Sequence, residues 1–384
     1  MGKWILVFGF VFLTVSLLGQ DSIPIYHKFL VNGYVKGLHS INFDGEFKNS
    51  YSGNIIHNRL NFKYIPSNNI TATVELRNRL FWGGEVENVP SFESFLRNQN
   101  EKFNLQKAWK LNRSIIMHTN IERLNINYTS AGLNIKIGRQ RVNWGITGTW
   151  NPNDIFNAYN FLDFDYEERA GIDGVKVQYV LENTQGIEIA YANTGKKTEQ
   201  IVAFKYFMNK LNYDLQFIAG SFKNRLTAGA GWAGYITDAG FKGEIQYFSP
   251  MKGKKGQVNI AIEGDYMFNN GWYFNLGFLY YNGGLSGSIT EWNQINLKLS
   301  PENLMPTKWN SIISVSKEIN PLLSMTWSVL YSPGSNMLIL YPSLQYNLAT
   351  NLDLNVFWQS YLAELNTDFQ AVNHQGFVRL KWSF

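Results

Sequence analysis

Arg139, Arg141 and Arg169 flank a stretch that also holds five carboxylates: Asp154, Asp163, Asp165, Glu167 and Glu168. Guanidinium and carboxylate groups set opposite one another across an aqueous passage would create a strong transverse field. Rows of charged side chains are how pores discriminate among solutes. The same groups, paired, would instead brace a long loop in a fixed shape, and the two uses are compatible. Clustered carboxylates also suit a hard cation such as Ca²⁺, but no EF-hand-like spacing is present. No metal ion and no cofactor are predicted.

The element that must position these charges is the run from Leu133 to Gly145. Leu133, Ile135 and Ile137 alternate with Asn134 and Lys136, the period of a strand with one apolar and one polar face. Strict continuation would aim Arg139 and Arg141 at the apolar side. Burial of an arginine in hydrocarbon costs roughly 2–4 kcal/mol at the bilayer midplane. Two arrangements avoid that cost. Gly138 marks a β-bulge that reverses the phase, the preferred expectation, or the arginines already lie above the lipid.

The rest of the chain says what surrounds that strand. Similar alternating segments recur about 18 times, and the connections between them are short, then long. Tight turns are expected at Ser67-Asn68-Asn69, Thr129-Ser130, Asn183-Thr184, Asn209-Lys210, Thr237-Asp238, Asn269-Asn270, Asn320-Pro321 and Ala349-Thr350. Long loops are expected at about 84–112, 142–171, 283–308 and 362–371. Long connections confined to one side of every hairpin suit a transmembrane antiparallel up-and-down β-barrel, with short periplasmic turns and long extracellular loops. The strand count is 16–18. A barrel of that size encloses water, and the inward positions are accordingly polar and of both signs, among them Glu188, Lys205, Glu244, Glu263, Arg379 and Lys381. In the loop at 84–112, Ser91 is placed to cap a short helix with Glu93 in its first turn. That helix either plugs the mouth or, the preferred expectation, packs on neighbouring loops.

Composition agrees. Of the residues, 45% are hydrophobic and 16% aromatic, an aromatic load that supplies the two girdles of a barrel. Residues 1–19, with Lys3 before an apolar run, read as a signal peptide cleaved near Gly19, because about fifteen apolar residues fall short of the roughly 20 a spanning helix needs. The remainder, 20–384, reads as one barrel domain. There is no cysteine, which excludes a disulfide framework. A net charge of +5, evenly spread, gives no argument for nucleic acid. The last strand, Phe377–Phe384, alternates Val378, Leu380, Trp382 and Phe384 against Arg379, Lys381 and Ser383, and its terminal Phe384 resembles the signal that outer-membrane barrels present to their assembly machinery.

Gly138-Arg139-Gln140, Trp144-Gly145, Asn151-Pro152-x-Asp154-x-Phe156-Asn157 and Asp163-Phe-Asp-Tyr-Glu-Glu-Arg169 together resemble a family of porin-like outer-membrane proteins of Gram-negative bacteria. The resemblance covers roughly 115–250 and the terminal strand. It implies a barrel and a structurally important loop, and it supplies no catalytic assignment.

The expected function is passive passage of small hydrophilic or charged solutes, with the loop at 142–171 as constriction. Two other classes compete. A scaffold barrel would dock a partner protein through its long loops. A rim hydrolase would need a His beside a Ser and an orienting group, and His118 is the one histidine positioned to be examined. Energy-coupled uptake is disfavoured, since 384 residues cannot hold about 22 strands and a plug. A homo-oligomer is left open, because its face is not legible on a surface that is apolar throughout.

Overall fold

A computed structural model describes residues 28–89, 92–96, 101–157, 169–182, 184–251, 253–287 and 300–384. The first half of the chain forms β1 (Phe29–Asp44), β2 (Ser50–Ser67), β3 (Ile70–Gly83), α1 (Gly84–Asn88), α2 (Phe92–Phe95), β4 (Gln106–Lys110), β5 (Ile115–Ser130), β6 (Leu133–Gln140), β7 (Ile172–Glu182), β8 (Gln185–Ala192) and β9 (Ile201–Lys210). The second half forms β10 (Tyr213–Phe222), β11 (Arg225–Ile236), β12 (Ala239–Phe248), β13 (Gln257–Met267), β14 (Trp272–Tyr281), β15 (Trp309–Asn320), β16 (Leu323–Ser332), β17 (Met337–Ala349), β18 (Leu352–Leu365) and β19 (Asp368–Ser383). Each wall strand pairs antiparallel with its neighbours, and β19 pairs with β1 over Asn373–Ser383 to close the ring. Gly33 and Phe384 exchange backbone hydrogen bonds of 2.9 and 3.0 Å at the seam. Closure satisfies every edge, which is the condition for a sheet to cross hydrocarbon.

Eighteen strands form the wall, because β3 pairs directly with β5 along Ile70–Trp82. The short β4 is an accessory. β6 reaches only Leu124–Ser130 of β5, since the chain leaves the wall after Gln140. β4 occupies the vacated edge by pairing with Ile116–Asn120, which removes an open row of backbone donors and acceptors.

The expected turns hold to within a residue or two, apart from Asn183-Thr184, of which Asn183 lies outside the described residues. The chain reverses at Ala131-Gly132, Leu211-Asn212 and Thr350-Asn351, where Ala131, Leu211, Asn212 and Asn351 adopt positive φ. One long loop is corrected. β18 and β19 run on to Leu365 and from Asp368, so the loop expected at 362–371 is the tight turn Asn366-Thr367, both residues at positive φ. Its other polar residues, Glu364, Asp368 and Gln370, belong to the strand ends.

The phase reversal expected at Gly138 is also corrected. β6 pairs with β5 and β7 without a break through Gly138, although that glycine has φ +113°. The register shift lies on β5, where Glu122 and Arg123 stand opposite the single step from Glu75 to Leu76 on β3. Before the shift Ile116, His118, Asn120 and Glu122 are buried inward; after it Leu124, Ile126 and Tyr128 are the exposed set. The bulge thus turns both Glu122 and Arg123 into the lumen.

Candidate functional site: a loop docked inside the barrel

Residues 141–157 fold into the lumen against the inner wall of β8–β14. Val142, Trp144, Ile155 and Phe156 form a buried cluster with inward side chains of β8–β12, such as Ala190, Ala203, Ile218 and Phe248. Trp150 enters a second cluster with Ala261, Leu279 and Ile312, joined by Leu304 and Met305 from the connection between β14 and β15. The apolar residues that would be stranded in an exposed loop are therefore the ones that anchor it.

Two wall carboxylates hold its backbone. Glu244 on β12 accepts the N–H groups of Ile146 and of Thr147 (2.8 Å) and the Thr147 hydroxyl (3.1 Å) on Oε1, and the N–H of Asn153 (2.7 Å) on Oε2. Glu263 on β13 accepts Gly148 N–H (2.8 Å) and Thr149 N–H (3.2 Å) on Oε2, while Asn275 donates to its Oε1 at 2.9 Å. A third wall acid, Glu188 on β8, accepts the Trp144 indole N–H, and Gln216 donates to Trp144 O at 2.6 Å. Glycine at 231 on β11 makes the approach possible, since a Cβ there would sit 2.8 Å from both Asn153 Oδ1 and Ile146 Cδ1. Hydrogen bonds to an ionised acceptor are roughly twice as strong as neutral ones, so the contacts form a rigid clamp.

The far end of the loop is tied by Arg169, which donates to Asp154 at 2.9 Å and to Asn151 at 3.0 Å, while Arg123 donates to the Arg169 carbonyl. Asp154 is fully buried. Burial pushes its carboxyl up to about 7, outweighing the opposite pull of Arg169 and Arg141.

Across the lumen the wall is cationic. Arg59, Arg77, Arg79 and Arg123 take inward positions on β2, β3 and β5, and Arg379 and Lys381 do so on β19. Glu122 bridges Arg59 and Arg77, and Glu75 bridges Arg59. Arg79 contacts His118 at 3.1 Å, and Arg379 donates to Asn355 at 3.1 Å. Beside Arg379, Ser324, Thr326, Ser343, Gln345 and Asn355 line a recess of about 100 Å³.

The sequence-predicted residues divide. Arg141, Asp154 and Arg169 come together in the in-folded loop. Arg139 does not join them. It is buried at the rim, paired with Asp173 at 2.8 Å and with Glu101 at 2.8 Å, under the segment that carries Phe103. Protein, not lipid, covers the guanidinium, so the cost weighed for it in the sequence does not arise. Asp163, Asp165, Glu167 and Glu168 lie outside the described residues. The helical segment after β3 differs from the expectation of packing on neighbouring loops: Val86 of α1 and Phe92 of α2 pack against Phe81, Ile116 and Ile55, inward residues of the wall at the mouth. Ser91 lies outside the described residues. His118 contacts Arg79 and Gln106 rather than a serine.

The docking role of Glu244 and Glu263 and the Arg59–Arg77–Glu122 cluster were not read from the sequence. The second carried a signal: Glu75, Arg77 and Arg79 alternate with Val74, Leu76 and Leu80.

Outside, Ile126, Ile137, Ile189, Phe204, Phe217, Ile262, Phe278, Val329, Val356 and Leu380 are exposed along the strands. A closed sheet with an apolar belt, a polar interior and a loop folded within it is a transmembrane β-barrel of the porin type. Solved structures agree on the fold. OccAB2 of Acinetobacter baumannii superposes with a TM-score of 0.60 at 9% identity, over 92% of this chain and 98% of that one. OccK5 (OpdH) and the outer membrane protein opdK, both of Pseudomonas aeruginosa, each give 0.58, at 7% and 9% identity, over 93% and 92% of this chain and 98% of theirs. No protein-family model and no curated protein matches the chain.

Proposed function

We propose that the protein is a channel of the Gram-negative outer membrane through which small hydrophilic or charged solutes diffuse passively. The observation that carries this reading is the loop at 141–157 docked against the polar inner wall of an 18-stranded barrel. Arg141, Asp154 and Arg169 belong to the constriction, together with Asp163, Asp165, Glu167 and Glu168 of the same connection, whereas Arg139 braces the rim. Glu244 and Glu263 accept loop donors, and the opposite wall carries the arginines and lysine of β2, β3, β5 and β19, so the passage favours anions. The likeness in fold to opdK supports the membrane assignment. Residues 1–19 act as the export signal, and the strand ending at Phe384 is what the outer-membrane assembly machinery receives.

The test is single-channel conductance in planar bilayers with reversal potential at asymmetric KCl. Steady conductance with an anion-selective reversal potential, moved toward cations by Arg379→Gln/Lys381→Gln, is expected. A folded barrel that stays silent overturns the channel; a cation-selective one overturns the role given to the basic wall.

A further inference from the structure

The inner wall is not charged to the same degree all round. On β6–β9 it sets Lys136 opposite Lys176 and Glu188 opposite Lys205, and on β12–β13 it sets Lys242 opposite Glu263. Two adjacent rows across β15–β19 differ, for they hold a single charge between them. In the first, Ser316 stands opposite Thr326, Thr326 opposite Ser343, and Ser343 opposite Phe357. In the next, closer to the tight turns after Asn320 and Ala349, Ser324, Gln345, Asn355 and Arg379 are register partners in the same way. Leu344, Val356 and Leu380 alternate with these residues and are exposed on the outside, which fixes the two rows to the lumen.

The rows meet in the recess of about 100 Å³ beside Arg379. Its one cation is held in place. Arg379 donates from Nε and Nη2 to Asn355 Oδ1 at 3.3 and 3.1 Å, and its guanidinium carbon lies 5.2 Å from the centroid of the Phe357 ring. Tyr341 stands beside that ring, with 6.3 Å between centroids. The recess therefore presents a fixed planar cation, an aromatic surface, amides and hydroxyls, and no carboxylate lines it. Hydroxyls and amides both donate and accept. A carboxylate solute only accepts, and would offer the amide oxygen of Gln345 no donor. A sugar ring does both through its hydroxyls, and the polarised C–H bonds of its face suit the negative face of an aromatic ring. We propose that this recess is a subsite for a neutral pyranose; the proposal names a substrate class for the channel and rests on that reading for its place in transport. Binding is weak, on the order of millimolar, because each bond to the sugar replaces one to water and a site of transit must release what it holds.

The test is saturation-transfer NMR on the full chain in detergent micelles, with methyl β-glucopyranoside as the probe and gluconate, an open-chain acid, as the anionic rival. Signal from the ring protons of the glucoside is expected for wild type and for Gln178→Ala, an inward position farther round the wall on β7. It is expected to be lost in Phe357→Leu and in Gln345→Ala. Unheated gel mobility checks that each barrel is folded. A folded wild type without a glucoside signal overturns the proposal, as does a signal undiminished in a folded Phe357→Leu or Gln345→Ala variant. A gluconate signal that these variants remove, with none from the glucoside, also overturns it and makes the recess an anion site. Conductance separates the two readings. A silent barrel that keeps the recess-dependent glucoside signal removes the channel and leaves the subsite, whereas a conducting barrel without that signal removes the subsite alone.

Discussion

Replacing Glu244 by glutamine removes one charge and changes no volume. In wild type its two oxygens accept four donors from the loop within 3.1 Å: the N–H groups of Ile146, Thr147 and Asn153 and the Thr147 hydroxyl. A glutamine offers one oxygen. If that oxygen keeps the Oε1 set, the amide N–H₂ faces the Asn153 N–H and that bond is lost, at about 1.5–3 kcal/mol for a hydrogen bond to a charged group. The three retained bonds become neutral and lose about half their strength. Relief from burying a carboxylate offsets part of this. A net weakening of about 2 kcal/mol follows, equivalent to roughly a thirtyfold shift toward the undocked loop, since 1.4 kcal/mol is a tenfold change. The barrel wall does not depend on these bonds. Glu244→Gln should therefore fold, show faster hydrogen exchange at residues 146–153, and open with larger, noisier conductance. A folded variant with unchanged exchange and unchanged conductance would refute the claim that Glu244 clamps the loop.

Glu263→Gln should act in the same direction but less, because its loop contacts are the two N–H groups of Gly148 and Thr149; the ratio of the two exchange rates checks this. Gly231→Val should expel the loop by contact, since the new side chain meets Asn153 and Ile146, and conductance should rise as for Glu244→Gln with the thermal stability of the wall retained. Asp154 has its carboxyl raised to about 7 by burial, so the folded state holds its proton where the unfolded chain has already lost it. That contribution to stability is full below about pH 4 and is lost as pH rises through about 7. Wild type should melt at lower temperature at pH 8 than at pH 5, and Asp154→Asn should flatten that difference; an identical pH dependence in both argues against the assignment. Deleting Phe384 removes both backbone bonds to Gly33 at the seam and should lower the yield of heat-stable, closed barrel on unheated gels.

The wall was legible because lipid and water impose opposite demands on alternate residues. Among the described residues the tight turns were placed within a residue or two from their Asn, Ser and Thr, and the error arises because β strands end where φ changes sign, not where polarity does. The turn at Asn366-Thr367 was misread for that reason: Glu364 and Asp368 are polar yet remain paired, as Glu364 with Phe369 and Asp368 with Leu365. The destination of the loop was not legible. Trp144, Trp150 and Phe156 are conspicuous in sequence, but whether they cap the mouth or enter it depends on the shape of the inner wall, which Gly231 and Ala203 set from distant strands. Arg139 was puzzling only while lipid was its assumed neighbour; the cover supplied by Glu101 and Phe103 comes from another connection.

The loop also explains the charge asymmetry of the lumen. A segment lying in a water-filled barrel presents backbone N–H groups that water can satisfy, so docking requires acceptors better than water. Ionised carboxylates are such acceptors, and the wall supplies them at Glu188, Glu244 and Glu263, where the loop donors converge. Each acid engaged in this way turns its oxygens to the loop while keeping its charge. Of the basic residues opposite, Arg123 helps to fasten the far end of the loop through the Arg169 carbonyl. Glu122 serves Arg59 and Arg77, while Arg379 and Lys381 stand farther along the wall on β19. On the proposed channel reading, anion preference would come from the basic residues left facing the lumen on the opposite wall. It follows that loosening the loop by Glu244→Gln should enlarge the passage and raise anion selectivity further, by deleting a negative charge; replacing Glu244 by an uncharged residue while selectivity moves toward cations would break the link between fastening and charge.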